Sequence, residues 1–329
     1  MARPVTLMTA QFGDLGLEEL CKLAKEMGYD GLELMEGSHW DAKKAAADKA
    51  YAESVLETLG KYGLKTWAVA AHVVGQCVGD NWDPRLDNFA PNALAGKPEE
   101  IRAWAIETMM AVPWGAKNLG VDVVSGFLGS PIWAYWYSFP QTTEEMVEAG
   151  FQKIVELWTP IFDEFDKAGV KFGLEVHPTE IAFDYYTWAR LLESFGGRKT
   201  LGLNYDPSHL LWQGVNPTIF LRDFIDRVYH VHMKDAAVTL DGKAGILGSF
   251  QTFGDNRRGW NFRSLGHGGV NFEDIIRELN AGGYEGPLSV EWEDSGMDRV
   301  YGATEAAAFV RKVDFAPSNV AFDAAMKND

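Results

Sequence analysis

The chain has 329 residues, 47% of them hydrophobic, and 30 basic against 47 acidic side chains give it a formal net charge of −17. That length suits a single α/β barrel with insertions and does not demand two domains. A surface this acidic repels phosphate backbones and anionic headgroups, which argues against nucleic-acid and membrane partners.

Two cysteines, Cys21 and Cys77, make no disulfide framework and fit a reducing compartment. The opening MARPVTLM enters a strand-like run with no charged-then-apolar leader, and no apolar stretch is long enough to span a bilayer. A cytoplasmic protein is expected.

Short apolar runs alternate with longer amphipathic ones. In chain order they predict strand 5–11, helix 17–26, strand 31–35, helix 42–62, strand 66–71, helix 99–118, strand 121–127 and helix 143–168. The second half predicts strand 172–176, helix 185–195, strand 201–205, helix 216–226, strand 228–233, helix 272–281, strand 288–292 and helix 303–312. Gly28, Gly63, Gly120, Gly169 and Gly283 each stand where a helix should close before the next strand. Eight such units are what a closed (β/α)₈ barrel needs. An open doubly wound sheet usually brings a Gly-rich turn after its first strand, and Gln11-Phe12-Gly13-Asp14 is not one. Residues 1–313 are therefore read as one barrel, with long mouth loops at about 76–98, 129–142 and 236–270, and residues 314–329 as a C-terminal tail.

Four apolar runs in the second half end on hard metal ligands: FGLEVHP, LGLNYDPSH, VYHVHMKD and LSVEWED. Their donors are Glu175, Asp206, His232 and Glu291, at the strand ends where a barrel carries its chemistry. Any one acid alone could cap a helix or join a salt bridge; four in succession point to a shared cation. Three oxygens and one nitrogen suit Mn²⁺ or Mg²⁺ better than a structural zinc. His232 is chosen over His230 because Lys234 and Asp235 follow it, and Glu291 over Glu293 by inference; His230 is read as packed behind the ligands. His177 shares a strand face with Glu175, and His209 follows Asp206 where the chain leaves the strand. His72 and Lys234 are expected to line the pocket, and His39 and His267 to lie on loops or the surface. Phe127, Trp133, Tyr135, Trp136, Tyr137 and Phe139 crowd one loop, either as flat surfaces for a sugar or aryl group, with Trp133 foremost, or as a self-packed lid. Of Arg257, Arg258 and Arg263, one is expected to bind a substrate anion or hydroxyl, and Arg263 is selected.

The endings LEVH, DPSH, HVHMKD and SVEWED, together with FRSLGHGGVNF and GGYEGPLSVE, resemble the sugar phosphate isomerase/epimerase group, the xylose-isomerase-like barrel superfamily, over nearly the whole chain. The resemblance implies a divalent metal (most simply Mn²⁺, with Mg²⁺, Co²⁺ or Zn²⁺ as alternatives) at the four donors, with Glu175 and Glu291 doubling as acid/base groups. Ketose epimerases of that superfamily carry a further glutamate six residues after the first ligand. Here Ile181 stands in its place, with Glu180 out of phase, which argues against plain ketose epimerisation. EVHPTEIAFDYYTWAR, DPSHLLWQGV, HVHMKDAAVTLDGKAGILGS and SVEWEDSGMDR are similar to the large catalytic subunit of bacterial C-glycoside deglycosidases. That likeness implies a 3-keto glycoside substrate, a small β-rich partner subunit and an oligomer.

The expected chemistry is removal of a proton α to a sugar carbonyl. Elimination of the C1 substituent would follow, or else reprotonation as in an epimerase or isomerase. A pocket histidine, His177 or His209, or a metal-bound glutamate would act as base, with Lys234 as electrostatic helper. A multi-zinc nuclease of the same superfamily would need more than seven histidines and a basic face. A non-catalytic sugar-binding barrel would leave the ligand set without a purpose.

Overall fold

A computed structural model describes residues 2–320 and 323–326. Eight parallel strands close into a barrel in it: β1 (Val5–Met8), β2 (Gly31–Met35), β3 (Val69–Ala70), β4 (Val123–Gly126), β5 (Lys171–Glu175), β6 (Leu201–Tyr205), β7 (Val228–Met233) and, after a separate antiparallel hairpin of β8 (Asp235–Val238) and β9 (Trp260–Arg263), β10 (Leu288–Val290). Each pairs with the next, and β10 closes on β1 with Thr6 opposite Ser289. The crossover helices that parallel pairing requires are α1 (Leu17–Glu26), α2 (Ala42–Ala47), α3 (Lys49–Lys61), α4 (His72–Gly79), α5 (Pro98–Asn118), α6 (Glu144–Ala168), α7 (Tyr185–Ser194), α8 (Pro207–Gln213), α9 (Pro217–Asp223), α10 (Phe272–Ala281) and α11 (Arg299–Val313). All five glycines expected to close helices take positive φ, between 66° and 91°.

Side chains facing outward from the strands fill the layer beneath the helices. Phe172 of β5, for example, packs against Trp158, Phe162 and Phe165 of α6 at centroid distances of 5.3–5.6 Å. Inward-facing positions follow the period of two: Glu33 in β2, Glu175 in β5, Asn204 in β6, His230 and His232 in β7, and Ser289 in β10 are all buried. The tail begins by docking on the barrel, since Asp314 pairs with Arg3, and Asn280 Nδ2 donates to the Phe315 carbonyl at 2.8 Å. Among the described residues no helix is long and apolar enough to cross a membrane.

Four expectations are corrected. The helix at 42–62 breaks at Asp48, whose carboxylate caps α3 by accepting from Ala50 N at 2.9 Å. α4 begins ahead of the first mouth loop and runs into it, and α8 follows Asp206 directly. The 236–270 loop carries the β8–β9 hairpin. α4 escapes pattern reading because His72-Val-Val-Gly-Gln-Cys-Val-Gly is buried on most sides and has no polar face to mark a period.

Gly75 lets α4 approach the end of β4, because a Cβ there would meet the Phe127 carbonyl oxygen at 2.1 Å. Gly75→Ala must push α4, and His72 with it, away from the barrel. We expect a loss of about 1–3 kcal/mol in urea unfolding, the usual range for overpacking.

Candidate metal centre

At the C-terminal mouth of the barrel, donor atoms of Glu175, Asp206, His232 and Glu291 all lie within 4.8 Å of one another, and all four residues are buried. Each is aimed by its own element. Asp206 caps α8: its Oδ1 accepts from Ser208 N at 2.8 Å, which leaves Oδ2 buried and without a hydrogen-bond partner. His232 turns Nδ1 toward Glu175 and Glu291, 3.0 Å from a carboxylate oxygen of each. Asn204, one turn of the pleat below Asp206, donates to Glu175 Oε2 at 2.8 Å.

Burial works against the Asp206 charge and raises its pKa despite His209 and Lys234. Burial also opposes Glu291, but the Lys234 ammonium at 3.0 Å and His232 at 3.0 Å together outweigh it and hold the carboxyl at about 2. Three carboxylates and an imidazole around one point, with an orphaned oxygen among them, fit a divalent cation.

His177, His209, His72 and Lys234 surround these donors in a cavity of about 700 Å³. His209 Nε2 sits 3.2 Å from Glu175 Oε1 and 3.4 Å from Asp206 Oδ2. His72, at the start of α4, reaches Glu175 Oε2 at 3.3 Å. The His177 ring lies 4.1 Å from that of His209, and burial lowers its pKa well below the usual value, so it stays neutral. Lys234 also touches Glu293 at 3.0 Å, which places Glu293 in the cavity wall outside the donor set. Trp133 and Trp136 line the cavity with stacked rings 5.8 Å apart, whereas Tyr137 and Phe139 face outward.

Arg263 is not brought to the cavity. Its Nη1 donates to the Phe262 carbonyl at 3.2 Å and lies 3.9 Å from Asp294, while Arg258 of the same loop lines the cavity. His39 is buried rather than exposed, and its Nε2 lies 3.2 Å from the Leu15 carbonyl. His267 is half exposed and pairs with Glu305.

Two further residues shape the centre, of which Glu33 lay outside the sequence reading. Glu33 lies beneath it, with an oxygen 3.0 Å from His232 Nε2 and 2.8 Å from His230 Nε2, and it accepts from Ser125 and Ser289. An imidazole donating its second N–H to a carboxylate is held in one orientation and made a better ligand. A lone acid at an inward position of the otherwise apolar GLELM was the available signal. Glu180 turns away from the centre and accepts from Leu128 N at 2.8 Å and Gly129 N at 2.6 Å. It anchors the aromatic loop and holds its neighbour Thr179, in the cavity wall, at φ 107°, where a β-branched residue is strained.

A family model described as Xylose isomerase-like TIM barrel matches residues 21–313. The chain belongs to that family. The uncharacterized protein YfiH of Bacillus subtilis is 25% identical over 311 residues, 89% of this chain and 93% of that protein. The inosose dehydratase of Clostridium botulinum is 33% identical over 91 residues, 28% of this chain and 30% of the relative. The crystal structure of 3-keto-D-glucoside 4-epimerase, YcjR, from E. coli matches with a TM-score of 0.66 at 17% identity, covering 94% of this chain and 99% of that one. At that identity the likeness concerns the fold alone.

Glu33→Gln keeps the shape and removes the charge behind His232. Calorimetric titration with Mn²⁺ should show affinity lowered about 10–100-fold, and Asp206→Asn, which removes a donor, should lower it further. A pH prediction follows from the loop anchor. Burial raises Asp80, which accepts from Ser130 N at 2.7 Å, to about 6, and burial plus the Asp80 charge raise Glu180. A carboxyl with a raised folded pKa is least costly below its unfolded value near 4, and the cost grows as pH rises through about 6. The stability of Asp80→Asn relative to wild type should therefore increase by on the order of 1–3 kcal/mol between about pH 4 and pH 7 in urea titrations.

Proposed function

We propose that the protein is a divalent-metal-dependent enzyme that removes a proton α to the carbonyl of a keto sugar, and that its substrate is a 3-keto glycoside whose C1 substituent leaves by β-elimination. The observation that carries this reading is the convergence of Glu175, Asp206, His232 and Glu291 beside the neutral, half-buried His177 and its neighbour His209. Mn²⁺ suits this oxygen-rich donor set best, with Mg²⁺, Co²⁺ and Zn²⁺ as the other candidates. Magnesium and zinc are bound in two structures of the same fold, a Mycobacterium smegmatis protein and the IOLI protein. A cation held at the centre supplies Lewis-acid polarisation of the carbonyl and stabilises the enolate charge.

The chain's own groups do the rest. His177 keeps a free lone pair at neutral pH and takes the C2 proton. Lys234, between Glu291 and Glu293, holds positive charge beside the developing oxyanion. His209, paired with Glu175, returns a proton to the departing group. The C2–H and C1–X bonds break and a C1=C2 double bond forms, so the products are an unsaturated keto sugar and HX, with no oxidant or water consumed. The burial of Ile181 in the apolar core and the engagement of Glu180 by the loop backbone favour this reading over ketose epimerisation, which would want a second glutamate in the cavity. A cavity of about 700 Å³, aromatic in its outer half, exceeds what a monosaccharide fills.

The test incubates manganese-loaded protein in D₂O with 3-keto glycosides and with free ketoses, with and without a small β-rich subunit. Release of the C1 substituent, lost on EDTA treatment and reduced about 10²–10⁴-fold in His177→Ala, is the expected result. Deuterium uptake beside the ketone without release would replace elimination by epimerisation or isomerisation. No exchange with any carbonyl sugar, despite bound metal, would overturn both.

A further inference from the structure

The cavity wall contributed by the β8–β9 hairpin holds groups that proton transfer at the metal floor does not use. Trp260 and Phe262 share one face of β9 and begin a ladder of rings. Phe262 lies 5.3 Å from the His209 ring and 4.4 Å from Lys234 Nζ, and Phe253 stacks on Phe262 at 5.3 Å. Trp212 stacks on Trp260 at 4.2 Å with the planes 4° apart. At the outer end the Arg258 guanidinium sits 4.0 Å from the Phe253 centroid and 4.6 Å from that of Trp260.

Arg258 lacks a counter-ion. Its Nη1 donates to the Gln251 carbonyl at 2.7 Å, but its Nε is buried without a partner, and among the described residues no carboxylate lies within ion-pair distance. The neighbouring Arg257 has Asp255 at 2.6 Å and Arg263 has Asp294 at 3.9 Å. Trp212 Nε1, in the same wall, is a second buried donor with no acceptor. Leaving such donors unpaired is costly, more so for a charged group. In a chain with a net charge of −17, an unneutralised guanidinium clamped between rings in a ligand-sized cavity marks where an acceptor belongs.

We propose that Arg258 is a specificity-determining residue: it reads an acidic oxygen, phenolate or carboxylate, on a flat ring held in the aromatic mouth, with Trp212 Nε1 as second donor. This deepens the glycoside reading by naming the part of the substrate that lies beyond the reacting sugar, two rings removed from Lys234.

The experiment measures binding, so it stands apart from turnover. The full-length protein, in EDTA so that no metal competes for the anion, is titrated with para-nitrophenolate and with the near-isosteric, neutral para-nitroanisole. The wild type should prefer the phenolate by about tenfold or more, the range for a hydrogen bond to a charged group. Arg258→Met should abolish that preference while keeping the anisole affinity, and Arg258→Lys should retain part of it. Equal affinity for the two probes, equal weakening of both in Arg258→Met (the mark of a structural clamp), or no binding of either would overturn the proposal. A persistent phenolate preference without turnover of any keto sugar would sink the elimination reading and leave this one standing.

Discussion

The constraint on which this molecule turns is the crowding of like charge at the mouth of a closed barrel. Glu175, Asp206 and Glu291 bring carboxylate oxygens within 4.8 Å of one another in a buried setting. At an effective dielectric of about 20, each such pair repels by roughly 3–4 kcal/mol. Three pairs approach the whole stability of an ordinary domain, about 5–15 kcal/mol. The fold answers with Lys234, which contacts Glu291 and Glu293, and with His232, which burial alone would keep neutral but which Glu33 and Glu291 drive toward its charged form. In the proposed reading these groups do part of what a bound cation would do. A divalent ion held by these donors would need His232 neutral on its ligating side, and Glu33 would secure the proton on the other ring nitrogen. The inner carboxylate thus makes sense as the orienting partner of a ligand, with Ser125, Ser289 and His230 satisfying its other lone pairs.

Much of this was legible in the sequence because a parallel strand reports its geometry with a period of two and a defined end. An acid or imidazole closing a short β-like run has few places to go, and that rule, with the residues that follow His232, singled out the four side chains that converge at the mouth. Gly169 and its counterparts were found because a helix must end in a left-handed residue before the next strand begins. The barrel's closure, by contrast, placed Glu33 against His232 across 199 positions of sequence, and no local pattern connects them. α4 was hidden because a helix buried on most sides loses the polar face by which helices are recognised. Choosing among Arg257, Arg258 and Arg263 required knowing that β8 and β9 pair with Val238 opposite Trp260. That register sends Arg263 toward Asp294 and leaves Arg258 between two rings. Glu180 was read as out of phase with the expected position, and its backbone partners in the loop after β4 give the physical reason: it serves the wall and not the cavity floor.

The division of labour between strands and loops follows from what each task tolerates. Metal donors must be placed to within a few tenths of an ångström, and the barrel grants this by tying every donor-bearing strand to two neighbours. Recognition of the rest of the substrate needs area and chemistry more than rigid placement, so it can be delegated to insertions. The β8–β9 hairpin shows how the two are joined. It leaves the barrel one residue after Lys234, a side chain of the metal floor, and Asp235 ties its base down by accepting from the backbone N–H groups of Gly266, Gly268 and Val270 at 3.0–3.1 Å. From that anchored root, Phe262 packs under Lys234 and Trp260 extends outward to Arg258. The wall proposed to read the distal part of a substrate is therefore continuous, ring by ring, with the Lys234 ammonium beside the four converging side chains. In the proposed reading, a ligand seated against Arg258 would bear on Lys234 through Phe253 and Phe262, a contiguous contact route from the outer wall to the proposed reaction centre.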